Sequence, residues 1–151
     1  MPEKFQLKWG ILAAGNIART FARDLWVDPS TRDVHDIEHV VVAAASASSI
    51  EKAQSLLKDV RAPAHAKAYN DYSHLAADLE VDIVYISSPN SLHFRHAMLC
   101  LEAGKSVLCE KPFVINADQL AKMAALAKAK GVFLMEGVSG GVLSRLELHR
   151  D

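Results

Sequence analysis

The chain has 151 residues, of which 50% are hydrophobic and 23% charged, and its formal net charge is -1 with the seven histidines neutral. This length favours a single domain with one core. The balanced charge offers no basic stripe for a phosphate backbone, and no apolar run is long enough to cross a bilayer, so we expect neither nucleic acid nor a membrane as a partner. The N-terminal residues lack the apolar segment and cleavage site of a secretory signal, which favours a cytoplasmic protein.

Strand and helix patterns alternate along the chain. In chain order they predict a strand at 7–12, a helix at 16–25, a strand at 39–45, helices at 49–57 and 72–79, a strand at 82–87, a helix at 92–103, a strand at 106–109, a helix at 117–130 and a strand at 132–135. The polar segment 28–33 and the small residues 62–65 are predicted loops. This alternation predicts an α/β fold with three layers, built on a doubly wound parallel sheet.

The cysteines and histidines show no metal-binding or redox pattern. Cys100 falls in a predicted helix and Cys109 in a predicted strand, without the C-x-x-C spacing of a metal or redox site, so we expect both to be small core residues. His93 and His96 share one helix face, but no carboxylate or cysteine completes a ligand set. We therefore predict no metal.

The first strand-to-helix turn carries a variant of the dinucleotide-binding pattern. The full pattern is G-x-G-x-x-G/A, and this chain has Ala13, Gly15 and Ala18 at the three positions. The middle glycine, which allows the backbone to approach a pyrophosphate, is present. A tight turn without a ligand is the alternative, but the position directly after the first strand favours a binding site.

The end of the second predicted strand bears on the choice between NAD and NADP. An acid at this point would bind the ribose 2′-hydroxyl of NAD, but the chain has Ser46 and Ser48 here and no acid before Glu51. Lys52 is close by. These residues favour NADP, with NAD as the alternative cofactor, although the serines could instead only cap the following helix.

Polar residues also follow the strands predicted at 82–87 and 106–109. Ser88 and Asn90 follow the first of these, where they could contact the nicotinamide ribose or simply form a turn. Glu110, Lys111 and Pro112 follow the second. The carboxyl ends of parallel strands form the ligand-binding edge of such a sheet, so Lys111 is predicted to face a cofactor or substrate.

Four segments together resemble the glucose-fructose oxidoreductase and inositol dehydrogenase (Gfo/Idh/MocA) family. They are residues 9–18, 85–93, 100–112 and 133–136. The resemblance extends from about residue 8 to residue 137, in the N-terminal nucleotide-binding half of the family. The sequence segments around Glu110 and Glu136 are most similar to those of the branch of NADP-dependent D-xylose dehydrogenases and dimeric dihydrodiol dehydrogenases.

This resemblance implies a Rossmann domain over residues 5–137 that binds NADP. In the family a second domain follows; it supplies substrate contacts, a tyrosine or histidine proton acceptor and the dimer interface. A sugar or trans-dihydrodiol substrate and a homo-oligomer are therefore expected. The implied contacts are Ala13, Ala14, Gly15, Asn16 and Ile17 with the pyrophosphate, Ser46 and Ser48 with the adenosine ribose, Ser88, Asn90 and His93 with the nicotinamide half, and Lys111, supported by Glu110, with the substrate hydroxyl.

The chain also departs from the family pattern. Ala13 replaces the first glycine, and Ala47 stands where many relatives have an arginine for the 2′-phosphate. Residues 138–151 form a divergent tail in place of the substrate domain, which favours a truncated oxidoreductase. A non-catalytic module that binds NADP or a protein partner is the alternative.

Overall fold

A six-stranded parallel sheet forms the centre of the chain. The computed structural model describes residues 3–113 and 116–137, and the predicted divergent tail lies outside them. The strand order is β3-β2-β1-β4-β5-β6, which is the order of a dinucleotide-binding sheet. The strands are β1 (Phe5–Leu12), β2 (Ile37–Ala45), β3 (Lys67–Tyr69), β4 (Ile83–Ile86), β5 (Ser106–Glu110) and β6 (Leu134–Gly137).

Five helices cover the two faces of the sheet and confirm the predicted three-layer α/β class. They are α1 (Asn16–Asp24), α2 (Ile50–Asp59), α3 (Tyr72–Ala77), α4 (His93–Glu102) and α5 (Ala117–Lys130), with short 3-10 turns at Pro29–Arg32 and Asn90–Leu92. One apolar cluster includes residues of α1 and α2, and the other includes residues of α3, α4 and α5. The sheet lies between these clusters, so the strands are apolar on both faces, as β4 shows with every residue buried.

Helix α1 packs on the sheet through two alanines and an aromatic side chain. Ala18 and Ala22 are fully buried, whereas Ile17 is 62% exposed. Phe21 lies against the sheet, stacked on Tyr85 with 3.9 Å between ring centroids. Helix α1 begins at Asn16, shortly after β1 ends at Leu12, so its N-terminus lies at the carboxyl edge of the sheet.

Strand β3 was not predicted from the sequence. Lys67–Tyr69 follows the segment predicted as a loop and pairs in parallel with residues 43–45 of β2. Three residues are too few to show an alternating pattern. The strand forms because its backbone groups find partners along the open edge of β2.

Both cysteines are core residues, as predicted. Cys100 and Cys109 are completely buried, and burial raises the pKa of each thiol to about 12. The thiols are therefore protonated at neutral pH and unreactive as nucleophiles.

None of the helices within the described residues is long and apolar enough to cross a membrane. The same part of the chain contains no group of three or more histidine, cysteine, aspartate or glutamate side chains that could hold a metal ion.

Candidate functional site

The carboxyl edge of the sheet collects the residues that the sequence indicated. The ends of β1, β2, β4 and β5 meet there, and the chain reverses its winding direction between β1 and β4. Ligands of open parallel sheets bind at such a switch point. The turn after β1 leads directly into α1, with Gly15 as the residue before the helix.

Ala13 adopts a backbone conformation that favours glycine. Its φ is +76°, in the left-handed region. The Ala13 amide donates to the Ala45 carbonyl at 3.0 Å, and the Ser87 hydroxyl donates to the Ala13 carbonyl at 2.8 Å. The turn therefore keeps the geometry of the glycine pattern although the side chain departs from it.

We expect Ala13→Gly to stabilise the fold. The left-handed conformation costs an alanine about 1–2 kcal/mol, and the greater freedom of glycine in the unfolded chain offsets about 0.4–1 kcal/mol of the gain. The free energy of unfolding in urea should rise by roughly 0.5–1 kcal/mol. Ala14→Gly is the matched control, since Ala14 is not among the residues with positive φ. It should be destabilising, and equal losses in both variants would show that Ala13 is not strained.

The N-terminus of α1 is suited to an anion. No described side chain caps this end, and the first turn has no acidic residue, so its N–H groups and dipole are not neutralised by the protein. A Cβ atom added to Gly15 would meet no atom within 4 Å. Open space in front of uncapped N–H groups fits the pyrophosphate of a dinucleotide.

A small polar cluster lies beyond the end of β2. Ser46 Oγ and Ser48 Oγ are 3.4 Å apart, and Lys52 Nζ donates to Ser48 Oγ at 3.1 Å. Ser46 is buried and Ser48 exposed. Lys52 lies on the first turns of α2, so a cation reaches the strand end although Ala47 lacks the arginine of many relatives.

The nearest acid in this region is already engaged. Glu51 accepts a hydrogen bond from the Ser49 hydroxyl at 2.7 Å. That hydrogen bond, followed by one from the Glu51 amide, lowers the pKa of the Glu51 carboxyl. Glu51 lies in the first turn of α2, and its carboxylate is held by the Ser49 hydroxyl.

The predicted nicotinamide contacts separate into exposed and buried groups. Asn90 is exposed at the start of the 3-10 turn that precedes α4. Ser88 is buried, and its hydroxyl lies 2.7 Å from His96 Nδ1. His93 is 1% exposed, and both of its ring nitrogens lie 2.7 Å from backbone carbonyl oxygens. Both ring nitrogens of His93 are thus engaged by the backbone, and its contact with the nicotinamide half stays a prediction.

The loop after β5 presents Lys111 at the same edge. Lys111 is exposed, and its ammonium group makes no hydrogen bond or ion pair with the described residues. The Lys111 amide donates to Glu110 Oε2 at 3.3 Å, and the Lys111–Pro112 peptide bond is cis. The lysine charge is thus free to meet a ligand.

Tyr85 is a site residue that the sequence did not reveal. Its hydroxyl donates to Glu110 Oε1 at 2.5 Å. Burial, and then this hydrogen bond, raises the pKa of Tyr85, so the group remains a donor. The alternation of side chains along β4 places Tyr85 on one face of the sheet, but nothing in the sequence pairs it with Glu110, 25 residues later.

The sequence matches a family described as "Oxidoreductase family, NAD-binding Rossmann fold" (GFO_IDH_MocA) over residues 7–138. The chain belongs to this family. The match extends from within β1 to the end of β6 and includes every residue of the candidate site, in agreement with the resemblance found in the sequence.

Curated relatives include two dehydrogenases. The chain is 49% identical over 134 residues to the D-xylose 1-dehydrogenase (NADP(+)) of Hypocrea jecorina, covering 89% of this chain and 34% of the relative. It is 39% identical over 145 residues to the trans-1,2-dihydrobenzene-1,2-diol dehydrogenase of Mus musculus, covering 96% of this chain and 40% of the relative. The chain thus spans between a third and two fifths of these relatives.

Solved structures of the family share the fold. An NAD-binding oxidoreductase from Klebsiella pneumoniae superposes with a TM-score of 0.78 at 31% identity, over 88% of this chain and 34% of that chain. A 3-ketoreductase from Actinomadura kijaniata in complex with NADP superposes with a TM-score of 0.74 at 26% identity, over 87% and 38% of the two chains.

Proposed function

We propose that this chain is the NADP-binding part of a dehydrogenase that oxidises a CH–OH group of a sugar, of the D-xylose type, or of a trans-dihydrodiol. The observation that carries the proposal is the convergence of three groups at one sheet edge. They are the α1 N-terminus, which no described side chain caps, the Ser46–Ser48–Lys52 cluster, and the Lys111 cation, which has no partner among the described residues. The names of the two dehydrogenase relatives support the substrate classes.

The residues fit a dinucleotide in three places. The backbone from Ala14 to Ile17 would hold the pyrophosphate, because the helix N–H groups and the open space at Gly15 suit an anion. Ser46, Ser48 and Lys52 would bind the adenosine ribose and its 2′-phosphate. Asn90 would contact the nicotinamide half, while the buried Ser88 would hold the loop after β4 through its hydrogen bond with His96.

Lys111 would act on the substrate rather than on the dinucleotide alone. An oxidised nicotinamide, when bound, supplies the acceptor for the hydride that leaves the carbinol carbon. The Lys111 ammonium would donate a hydrogen bond to the substrate oxygen and stabilise the negative charge that develops there as its proton leaves to a base. Glu110, fixed by Tyr85 and bonded to the Lys111 amide, would hold the lysine backbone in place.

The proposal is tested by calorimetric titration of the chain with NADPH and NADH. We expect tighter binding of NADPH, because the Glu51 carboxylate is engaged by the Ser49 hydroxyl and a cation lies at the end of β2. One good charge-assisted hydrogen bond corresponds to about 1.5–3 kcal/mol, so the preference should be roughly ten- to hundred-fold. Equal or reversed affinities would overturn the assignment of NADP.

Lys52→Ala should remove most of this preference. Its ammonium group is the cation closest to the Ser46–Ser48 pair through its bond to Ser48 Oγ. NADPH affinity should fall roughly ten-fold or more, and NADH affinity should stay within about two-fold, because only NADPH carries the 2′-phosphate. Lys58→Ala, an exposed lysine later in α2, is the matched control and should change neither affinity. An equal loss of affinity for both cofactors in Lys52→Ala would instead indicate damage to α2.

A further inference from the structure

The His93 side chain joins two loops at the carboxyl edge of the sheet. His93 is the first residue of α4 and is 1% exposed. Its Nδ1 lies 2.7 Å from the Pro112 carbonyl oxygen, in the loop after β5, and its Nε2 lies 2.7 Å from the Ser88 carbonyl oxygen, in the loop after β4. The two loops are therefore connected through one imidazole ring.

Both contacts require His93 to be the donor. A carbonyl oxygen has lone pairs and no hydrogen, so it only accepts. A neutral imidazole has one N–H group, and its other nitrogen would point a lone pair at a carbonyl oxygen at hydrogen-bond distance. That arrangement is repulsive in a buried site, where the effective dielectric is low. Two donated bonds instead require hydrogen on both nitrogens, which is the imidazolium form.

Burial of the His93 ring opposes a charge on it, since the ring is almost completely removed from water. The positive end of the α4 dipole and the Arg95 guanidinium disfavour a cation. The neighbouring His96 is kept neutral, because burial, and then the charges of Arg95 and His93, lower its pKa. The two carbonyl oxygens lie 2.7 Å from the ring nitrogens, and hydrogen bonds made by the charged form of a group favour that form.

We propose that His93 donates from both ring nitrogens to the Ser88 and Pro112 carbonyls, and that this cross-link makes it a positioning residue for Lys111. Pro112 directly follows Lys111, so fixing the Pro112 carbonyl fixes the backbone that carries the lysine. Ser88 is held a second time, through its hydroxyl, by His96. The role assigned to Lys111 rests on the proposed function, whereas the double donation does not.

The protonation of the ring is tested on the unmodified chain. In a nitrogen-15 NMR spectrum at neutral pH, both ring nitrogens of His93 should show the chemical shift and the attached hydrogen of a protonated nitrogen. His96, which is kept neutral, serves as the internal reference and should show one nitrogen without hydrogen. A spectrum in which His93 also has one bare nitrogen would overturn the proposal.

The cross-link is tested by amide hydrogen exchange in two variants. His93→Phe keeps a ring but no donor, and His93→Gln keeps donor hydrogens on a flexible side chain. In His93→Phe the amides of Lys111 and Phe113 should exchange roughly ten-fold faster, because local opening of their loop becomes easier. The amides of Ala13 and Ser46, which are bonded to the Ala45 and Tyr69 carbonyls at the same edge, should be unchanged. The exchange rates of Lys111 and Phe113 in His93→Gln should lie between those of the unmodified chain and those of His93→Phe.

The outcomes separate the cross-link from a general packing role. Faster exchange at Ala13 and Ser46 as well, or equal behaviour of the phenylalanine and glutamine variants, would show that His93 acts only through packing and would overturn the proposal. The experiment contains no cofactor. Failure of the chain to bind NADPH would therefore overturn the proposed function while leaving the result for His93 intact.

Discussion

Gly15→Val should abolish measurable NADPH binding while leaving the fold intact. Gly15 has φ -90° and ψ -172°, an extended conformation that valine adopts readily, and an added Cβ meets no protein atom within 4 Å. The valine would occupy only the space in front of the α1 N-terminus. If a pyrophosphate lies there, its affinity should fall at least about a hundred-fold, since its charged oxygens would lose the hydrogen bonds that the helix N–H groups donate and would meet a steric block.

Folding is measured in parallel by urea denaturation. Valine is disfavoured at the position before a helix. This preference should lower the free energy of unfolding by no more than about 1 kcal/mol. Gly15→Ala provides the graded comparison and should give an intermediate loss of affinity. Unchanged NADPH affinity in Gly15→Val, with the protein folded, would show that the turn is not the phosphate site.

Helix ends with local signals were predictable from the sequence. Asn116 precedes α5 and its side chain accepts from the Gln119 amide at 2.9 Å, while Gly131 ends the helix with φ +67°. Both features depend on residues next to the helix in sequence. Strand β3 had no such signal, because its three residues are organised by β2 rather than by their own pattern.

The location of the site was predictable, but the direction of its side chains was not. Strand ends can be read from hydrophobic runs, and in a parallel sheet this places Ser46, Ser88 and Lys111 at one edge. The inward turn of His93 depends on the Pro112 carbonyl, 19 residues later in the chain. Lys52 likewise reaches the edge only because α2 begins where it does, so that its side chain meets Ser48. Contacts of this kind are fixed by tertiary packing and have no local pattern.

Lys111→Ala should reduce turnover far more than cofactor affinity. The measurement uses a hybrid in which residues 1–137 of this chain precede the remaining part of the D-xylose 1-dehydrogenase of Hypocrea jecorina, which is 49% identical over the aligned region. The Lys111 ammonium is exposed and unpaired within the described residues, so its removal leaves no partner buried and should not disturb the fold. Groups that stabilise developing charge typically contribute 10²–10³ in kcat, and we expect a loss of about that size with D-xylose.

The partition of the loss distinguishes the two roles that Lys111 could have. A group that acts mainly on the transition state lowers kcat and kcat/KM together, while a group that only binds the dinucleotide raises the dissociation constant of NADPH and leaves kcat unchanged. We expect NADPH affinity to stay within about three-fold, because the α1 N-terminus and the Lys52 cluster hold the phosphates independently. Lys122→Ala is the matched control, since Lys122 forms only an exposed ion pair with Asp118 at 3.1 Å. A hybrid in which Lys111→Ala weakens NADPH binding as much as it slows turnover would assign the lysine to the cofactor and leave the substrate oxygen to groups outside residues 3–137.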